Sequence, residues 1–268
     1  MDFLMLVNVF IFGTIVGSFL NVVVYRYNSG RSPLTGRSQC FSCGKTLSWY
    51  ELVPVFSFLV QGGRCRKCKT KLSWQYPLVE VLSGIIFVSV FMQSKSMVET
   101  ALLLSVFSTL LVIAVYDLRH QIIPDGLAIL FAVLGLAQFF ILVDISRAFQ
   151  FPHVWTLIAG PMLFLPFWLL WFVSQGRWIG LGDGKLAWGI GWFLGAALGG
   201  SAVILAFWIG AAYALCIMTV QKFFTKTKDK LSLKSEIPFG PFLILATIIV
   251  YFTGVNFFDG SVNLLTFL

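Results

Sequence analysis

Residues 98–125 read V-E-T-A-L-L-L-S-V-F-S-T-L-L-V-I-A-V-Y-D-L-R-H-Q-I-I-P-D. The part from 98 to 116 is long and apolar enough to cross a hydrocarbon core of about 30 Å as a helix. It runs directly into Asp117, a carboxylate that is costly beside hydrocarbon. Pro124 follows seven residues later and ends or kinks a helix. The stretch G-L-G-D-G-K at 180–185 offers a second such edge. There Asp183 opens another apolar run, with Gly180, Gly182 and Gly184 around it to allow close backbone approach. Two carboxylates on separate segments, each at a membrane edge beside a helix break, make a working pair.

The rest of the chain has the same character. Of its 268 residues 58% are apolar and 11% charged, with a mean hydropathy of +0.89, which excludes an ordinary soluble domain. Spans of roughly 20 residues are predicted at 3–25, 77–94, 98–116, 126–143, 154–174, 183–199, 201–221 and 237–256. The expected fold is therefore an all-α polytopic membrane protein of about eight transmembrane helices. It divides into a first transmembrane helix at 1–25, a small polar insert at 26–76 and a seven-helix intramembrane core at 77–268.

Charge orients these helices, because Lys and Arg collect on the cytoplasmic side of short loops. If the first helix runs from outside to inside, all 19 Lys and Arg except Lys95 and Arg147 fall on the cytoplasmic face. Both termini are then extracytoplasmic. The insert and both aspartates lie on the cytoplasmic side. The net charge of +8 follows from this bias and from apposition to anionic lipid, so the expected partner is the bilayer and not nucleic acid. The N-terminal stretch lacks a basic leader and carries its cations after it, as a retained signal anchor does.

Within the insert, Cys40-Phe-Ser-Cys43 and Cys65-Arg-Lys-Cys68 are two CxxC turns separated by 21 residues, close to zinc-ribbon spacing. Four thiolates complete a tetrahedral zinc site, and a short polar segment needs such a staple to fold. Redox dithiols or disulfides are the other reading, which a reducing cytoplasmic setting disfavours. Four Cys ligands leave no open coordination position, so the zinc is structural. Cys216, alone in an apolar helix, reads as a small core residue.

Peptide hydrolysis by two carboxyls needs them to share a proton, so that one draws a proton from water while the other polarises the scissile carbonyl. Asp117 and Asp183 suit that chemistry. Asp125 reads as a secondary participant or as the polar cap of the next helix. Lys185 reads as a partner of Asp183, a ligand for a substrate carbonyl, or a lysine snorkelling to the interface. Asn21 and Glu80 read as helix-to-helix hydrogen-bonding groups.

Six elements in order, G-S-F-L-N-V-V-V-Y-R at 17–26, the two CxxC pairs, Y-P-L-V-E at 76–80, D-L-R-H-Q-I-I-P-D at 117–125, G-L-G-D-G-K at 180–185 and E-I-P-F-G-P-F at 236–242, resemble the bacterial type IV prepilin peptidases. These belong to the GxGD class of intramembrane aspartyl proteases. The chain departs from the pattern at Arg119, where many members carry a second acidic residue. The resemblance implies that Asp117 and Asp183 are catalytic, with Asp125, Lys185, Gly182, Glu236 and Pro238 in support. It implies a prepilin or pseudopilin substrate with a short basic leader, cut on the cytoplasmic side. It also implies N-methylation of the new N-terminus from S-adenosylmethionine, for which the sequence shows no fingerprint and no residues are assigned. Acidic groups at the cytoplasmic edge, Glu51 and Glu80 among them, are expected to complement the leader. A coupled ion or proton transporter using the same aspartates, and a non-enzymatic pilus or secretion assembly factor, are the alternatives.

Overall fold

The computed structural model describes residues 2–143, 145–151, 153–224 and 237–258, with the backbone alone for Ile145 and for 222–224. Among these residues the regular elements are helices, with isolated β-bridges pairing Gln39 with Thr46 and Arg64 with Lys71. The helices are α1 (Phe3–Arg26), α2 (Phe56–Val60), α3 (Gln75–Gln93), α4 (Met97–His120), α5 (Asp125–Leu142), α6 (Ile145–Ala148), α7 (Val154–Ser174), α8 (Leu181–Phe224) and α9 (Gly240–Thr253). Six of them, α1, α3, α4, α5, α7 and α8, are long and apolar enough to cross a membrane. Large apolar side chains such as Ile11, Ile85, Met162 and Phe172 are exposed along these helices, as lipid solvation requires of a multi-pass membrane protein.

The difference between six long helices and about eight predicted ones lies in α8 and α9. Helix α8 covers two predicted spans and is interrupted at Gly195, whose φ of 79° and ψ of −179° are open to glycine alone. The expected break near residue 200 is thus displaced by several residues. Helix α9 has 14 residues, about 21 Å at 1.5 Å per residue, and is short for a full crossing. Counting the two halves of α8 separately gives eight apolar rods.

The chain forms two compact units, residues 1–112 and 113–268, with the division inside α4. In the first unit α1 packs on α3 through small residues. A Cβ on Gly13 would lie 2.8 Å from Gly84 Cα, and one on Gly17 2.8 Å from Glu80 Cα. Gly13 and Gly17 make a GxxxG pair, the spacing that lets membrane helices touch backbone to backbone. Asn21 Nδ2 then donates across the interface to the Tyr76 carbonyl at 3.2 Å, and Asn21 Oδ1 accepts from Gln75 Nε2 at 3.3 Å. In the second unit α8 is the central helix, packed by α5, α7 and α9. Cys216 on α8 is exposed, correcting its reading as a core residue: a thiol on a helix that is apolar all round is as well accommodated by lipid as by protein.

Candidate active site and metal centre

Asp117 occupies the last turn of α4, which stops at His120 because Gln121 turns left-handed at φ 54° and returns its N–H to the Asp117 carbonyl at 2.8 Å. Asp183 is the third residue of α8, in its first turn. The two carboxylates, 4% and 9% exposed, line the same polar cavity of about 860 Å³. Each carboxyl meets backbone. Asp117 lies against Gly240, the first residue of α9, and Asp183 against Gly180, where a Cβ would stand 3.3 Å from its Oδ2. A Cβ on Gly240 would stand 2.5 Å from Asp117 Oδ2, and one on Gly182 would stand 3.0 Å from Ile123 Cβ. Glycine at both positions is what lets α9 and α8 close on the α4–α5 corner.

The other sequence candidates divide. Asp125, Lys185, Gly182 and Pro238 also line this cavity, whereas Glu236 lies outside the described residues. Asp125 does not cap α5: the N-cap is Pro124, without a side-chain cap, and Asp125 is the first helical residue. Its Oδ1 instead accepts from Lys185 Nζ at 2.6 Å. Lys185 is therefore committed to Asp125. Gly240 was not singled out by sequence reading; the signal for it is its place in P-F-G-P, with a proline at the first turn of the helix it opens.

The four insert cysteines converge. Their Sγ atoms all lie within 4.8 Å of one another, and Cys40 Sγ is 3.8 Å from Cys68 Sγ. Four Zn–S bonds of about 2.3 Å in a tetrahedron place sulfurs about 3.8 Å apart, so the thiols fit a metal ion of that kind. The two turns are near copies. The Cys40 N–H donates to the Lys45 carbonyl and the Cys65 N–H to the Thr70 carbonyl, both at 2.9 Å. The Gly44 N–H returns to Cys40 and the Lys69 N–H to Cys65, and Gly44 and Lys69 share a left-handed φ of 68° and 59°. An antiparallel bridge flanks each turn, Gln39 with Thr46 and Arg64 with Lys71. Such paired knuckles present four sulfurs to one point. Glu51 is spent inside the insert, accepting from Lys45 Nζ at 2.8 Å and from the Ser48 N–H at 2.9 Å, and so is withdrawn from any complement to a leader.

A bundle of helices long and apolar enough to cross a membrane, with two carboxyls in one polar cavity, in a chain that also carries a four-thiol insert, is the arrangement of a multi-pass membrane protein of the intramembrane aspartyl class. Sequence comparison makes this specific. Residues 11–94 match the family model described as Bacterial Peptidase A24 N-terminal domain, and residues 104–215 match that of the Type IV leader peptidase family. A prepilin leader peptidase/N-methyltransferase of Pseudomonas putida is 30% identical over 96% of this chain and 93% of its own length. One of Bacillus subtilis is 29% identical over 93% and 95%. One of Myxococcus xanthus is 35% identical over 70% of this chain, a match that spans 56% of that protein. The chain belongs to the type IV leader peptidase family. No solved structure matches it.

Proposed function

We propose that the protein removes the short basic leader from type IV prepilins or pseudopilins at the cytoplasmic face of the membrane and then N-methylates the new N-terminal residue with S-adenosylmethionine. The observation that carries the cleavage is the meeting of Asp117 and Asp183, from different helices, in one polar cavity. In the reaction one carboxylate takes a proton from water, whose oxygen attacks the scissile carbonyl while the protonated partner donates to the carbonyl oxygen. The tetrahedral intermediate then collapses: the C–N bond breaks, the leaving amine receives the proton taken from water, and the second carboxylate recovers from the gem-diol the proton it had donated, which restores the singly protonated pair. Asp125 and Lys185, as an ion pair on the cavity wall, fix α5 against α8; Gly182 and Pro238 shape the backbone along which an extended substrate lies. The names carried by relatives give no support to a transporter or an assembly factor.

In this reading Cys40, Cys43, Cys65 and Cys68 hold a structural zinc. The insert at 26–76 and the cavity of the 77–268 peptidase core face the cytoplasm of a bacterial plasma membrane, and both termini are extracytoplasmic. The test is cleavage of a purified prepilin, with its transmembrane segment intact, by detergent-solubilised wild type, Asp117→Ala and Asp183→Ala. Mass spectrometry of the new N-terminus, with S-adenosylmethionine present, provides the readout. Loss of cleavage in both variants and a product heavier by one methyl group are expected. Undiminished cleavage by either folded variant removes that aspartate from the chemistry.

A further inference from the structure

The first unit contains a second cavity, of about 550 Å³, within the roughly 300–1,000 Å³ of small-molecule sites. Its lining residues run from Ser18 to Glu80. All of them fall inside the stretch that matches the N-terminal family model, and none inside the type IV leader peptidase match. It therefore belongs to the part of the chain that does not carry Asp117 and Asp183.

Its chemistry is that of a site for an aromatic cation. One wall is aromatic: Tyr25 stacks on Tyr76 with ring centroids 5.4 Å apart and planes 13° from parallel, and Phe41 lies 5.1 Å from Tyr25. Phe41 is 70% exposed on the first CxxC turn, a large apolar ring presented where no helix covers it. Glu80 is buried, with Oε2 accepting the Val55 N–H at 2.7 Å. Among the described residues the ion pairs are Lys45–Glu51 and Lys185–Asp125, so Glu80 has no cation beside it. A buried carboxylate without a cation is a costly arrangement that a positively charged ligand relieves. Glu51, by contrast, is already neutralised. Arg31, also on the lining, offers a guanidinium to a ligand carboxylate.

We infer that this cavity binds S-adenosylmethionine, its adenine against the Tyr25–Phe41 wall, its sulfonium facing Glu80 and its amino-acid carboxylate toward Arg31. The inference rests on the methyl-transfer reading given above and adds the residues that reading lacks.

The sulfonium supplies a charge-specific test, because S-adenosylhomocysteine has the same shape without that positive charge. Both compounds are titrated by calorimetry into the detergent-solubilised full chain, as wild type, Glu80→Gln and Tyr25→Ala. Thermal melting of the same samples reports that the folds are intact. Glu80→Gln keeps a carbonyl to accept from Val55, so a merely structural role would leave the ratio of the two affinities unmoved. The expected result is a loss of about tenfold or more in S-adenosylmethionine affinity, with S-adenosylhomocysteine changed by less than about threefold. Tyr25→Ala should weaken both. If wild type binds and methylates while both variants bind like wild type, methyl transfer stands and the assignment of this cavity is overturned. If wild type cleaves yet binds neither compound, the methyl-transfer reading itself fails, and this inference with it.

Discussion

At Gly240 the missing side chain makes room for a carboxyl: a Cβ there would stand 2.5 Å from Asp117 Oδ2. Gly240→Ala must therefore push Asp117 away or open the start of α9. A displacement of about 1 Å costs about a hundredfold in rate for a positioned group, so kcat on a prepilin should fall by that order. Alanine is the better helix former by about 1 kcal/mol, which opposes any loss of stability. Lost turnover with a retained melting temperature is expected, and unchanged turnover would mean that Asp117 does not act from its present position. The Lys185–Asp125 pair is a weaker element, with side chains 34% and 65% exposed. A double-mutant cycle on Lys185→Met and Asp125→Asn should give a coupling of about 0.2–1 kcal/mol in denaturant stability. The sequence invites pairing Lys185 with Asp183, its neighbour two positions away. On a helix, however, residues two apart point in different directions, and α8 carries Lys185 to Asp125 of α5 instead. Gly240 was only half legible for a related reason: P-F-G-P marks a helix start there, but its partner Asp117 lies more than a hundred residues earlier and the local pattern does not point to it.

Among the elements, the spans were legible wherever an apolar run ended in charge or proline, as at Asp117 and Pro124. The interruption of α8 was not placed correctly, because Gly195 is one of several glycines in G-A-A-L-G-G and only its φ distinguishes it. In the insert the cysteine spacing was legible, while the tie that closes the intervening loop, Lys45 to Glu51, was not. That tie has a pH signature. Hydrogen bonds from Lys45 and the Ser48 N–H hold the Glu51 carboxyl below its ordinary 4.5, and the bond to Glu51 raises Lys45 above its ordinary 10.5. The Glu51 contribution to stability is therefore fully present above pH 4.5 and is lost as pH falls through the depressed folded value. The Lys45 contribution holds below pH 10.5 and is lost only as pH rises through the raised one. Thermal unfolding of the whole chain in detergent should be level with respect to this pair between those limits. Glu51→Gln should lower the plateau and flatten the acid-side fall; an unaltered acid limb would mean that the pair contributes nothing to folding.

At the scale of the whole molecule, the two cavities fall in different segments of the sequence, and the thiol cluster belongs with the first of them. Cys40 and Cys65 line the cavity that holds Glu80, and Phe41, between Cys40 and Cys43, carries part of its aromatic wall. Across 26–76 Phe58 is the one large apolar side chain that is buried, too little to fold a segment of that size without a cross-link. A metal on the four sulfurs would then set the position of Phe41 and, through it, the width of the cavity. Asp117 and Asp183 lie against Gly240 and Gly180, none of which lies in the insert. Stripping the purified protein with a high-affinity zinc chelator, followed by elemental analysis, should therefore release one metal ion per chain. Binding of S-adenosylhomocysteine should be lost, while prepilin cleavage persists, and readdition of zinc should restore binding. Undiminished binding after complete metal loss would show that the knuckles hold Phe41 by their own hydrogen bonds, since the Cys40–Lys45 and Cys65–Thr70 turns would then suffice without the ion.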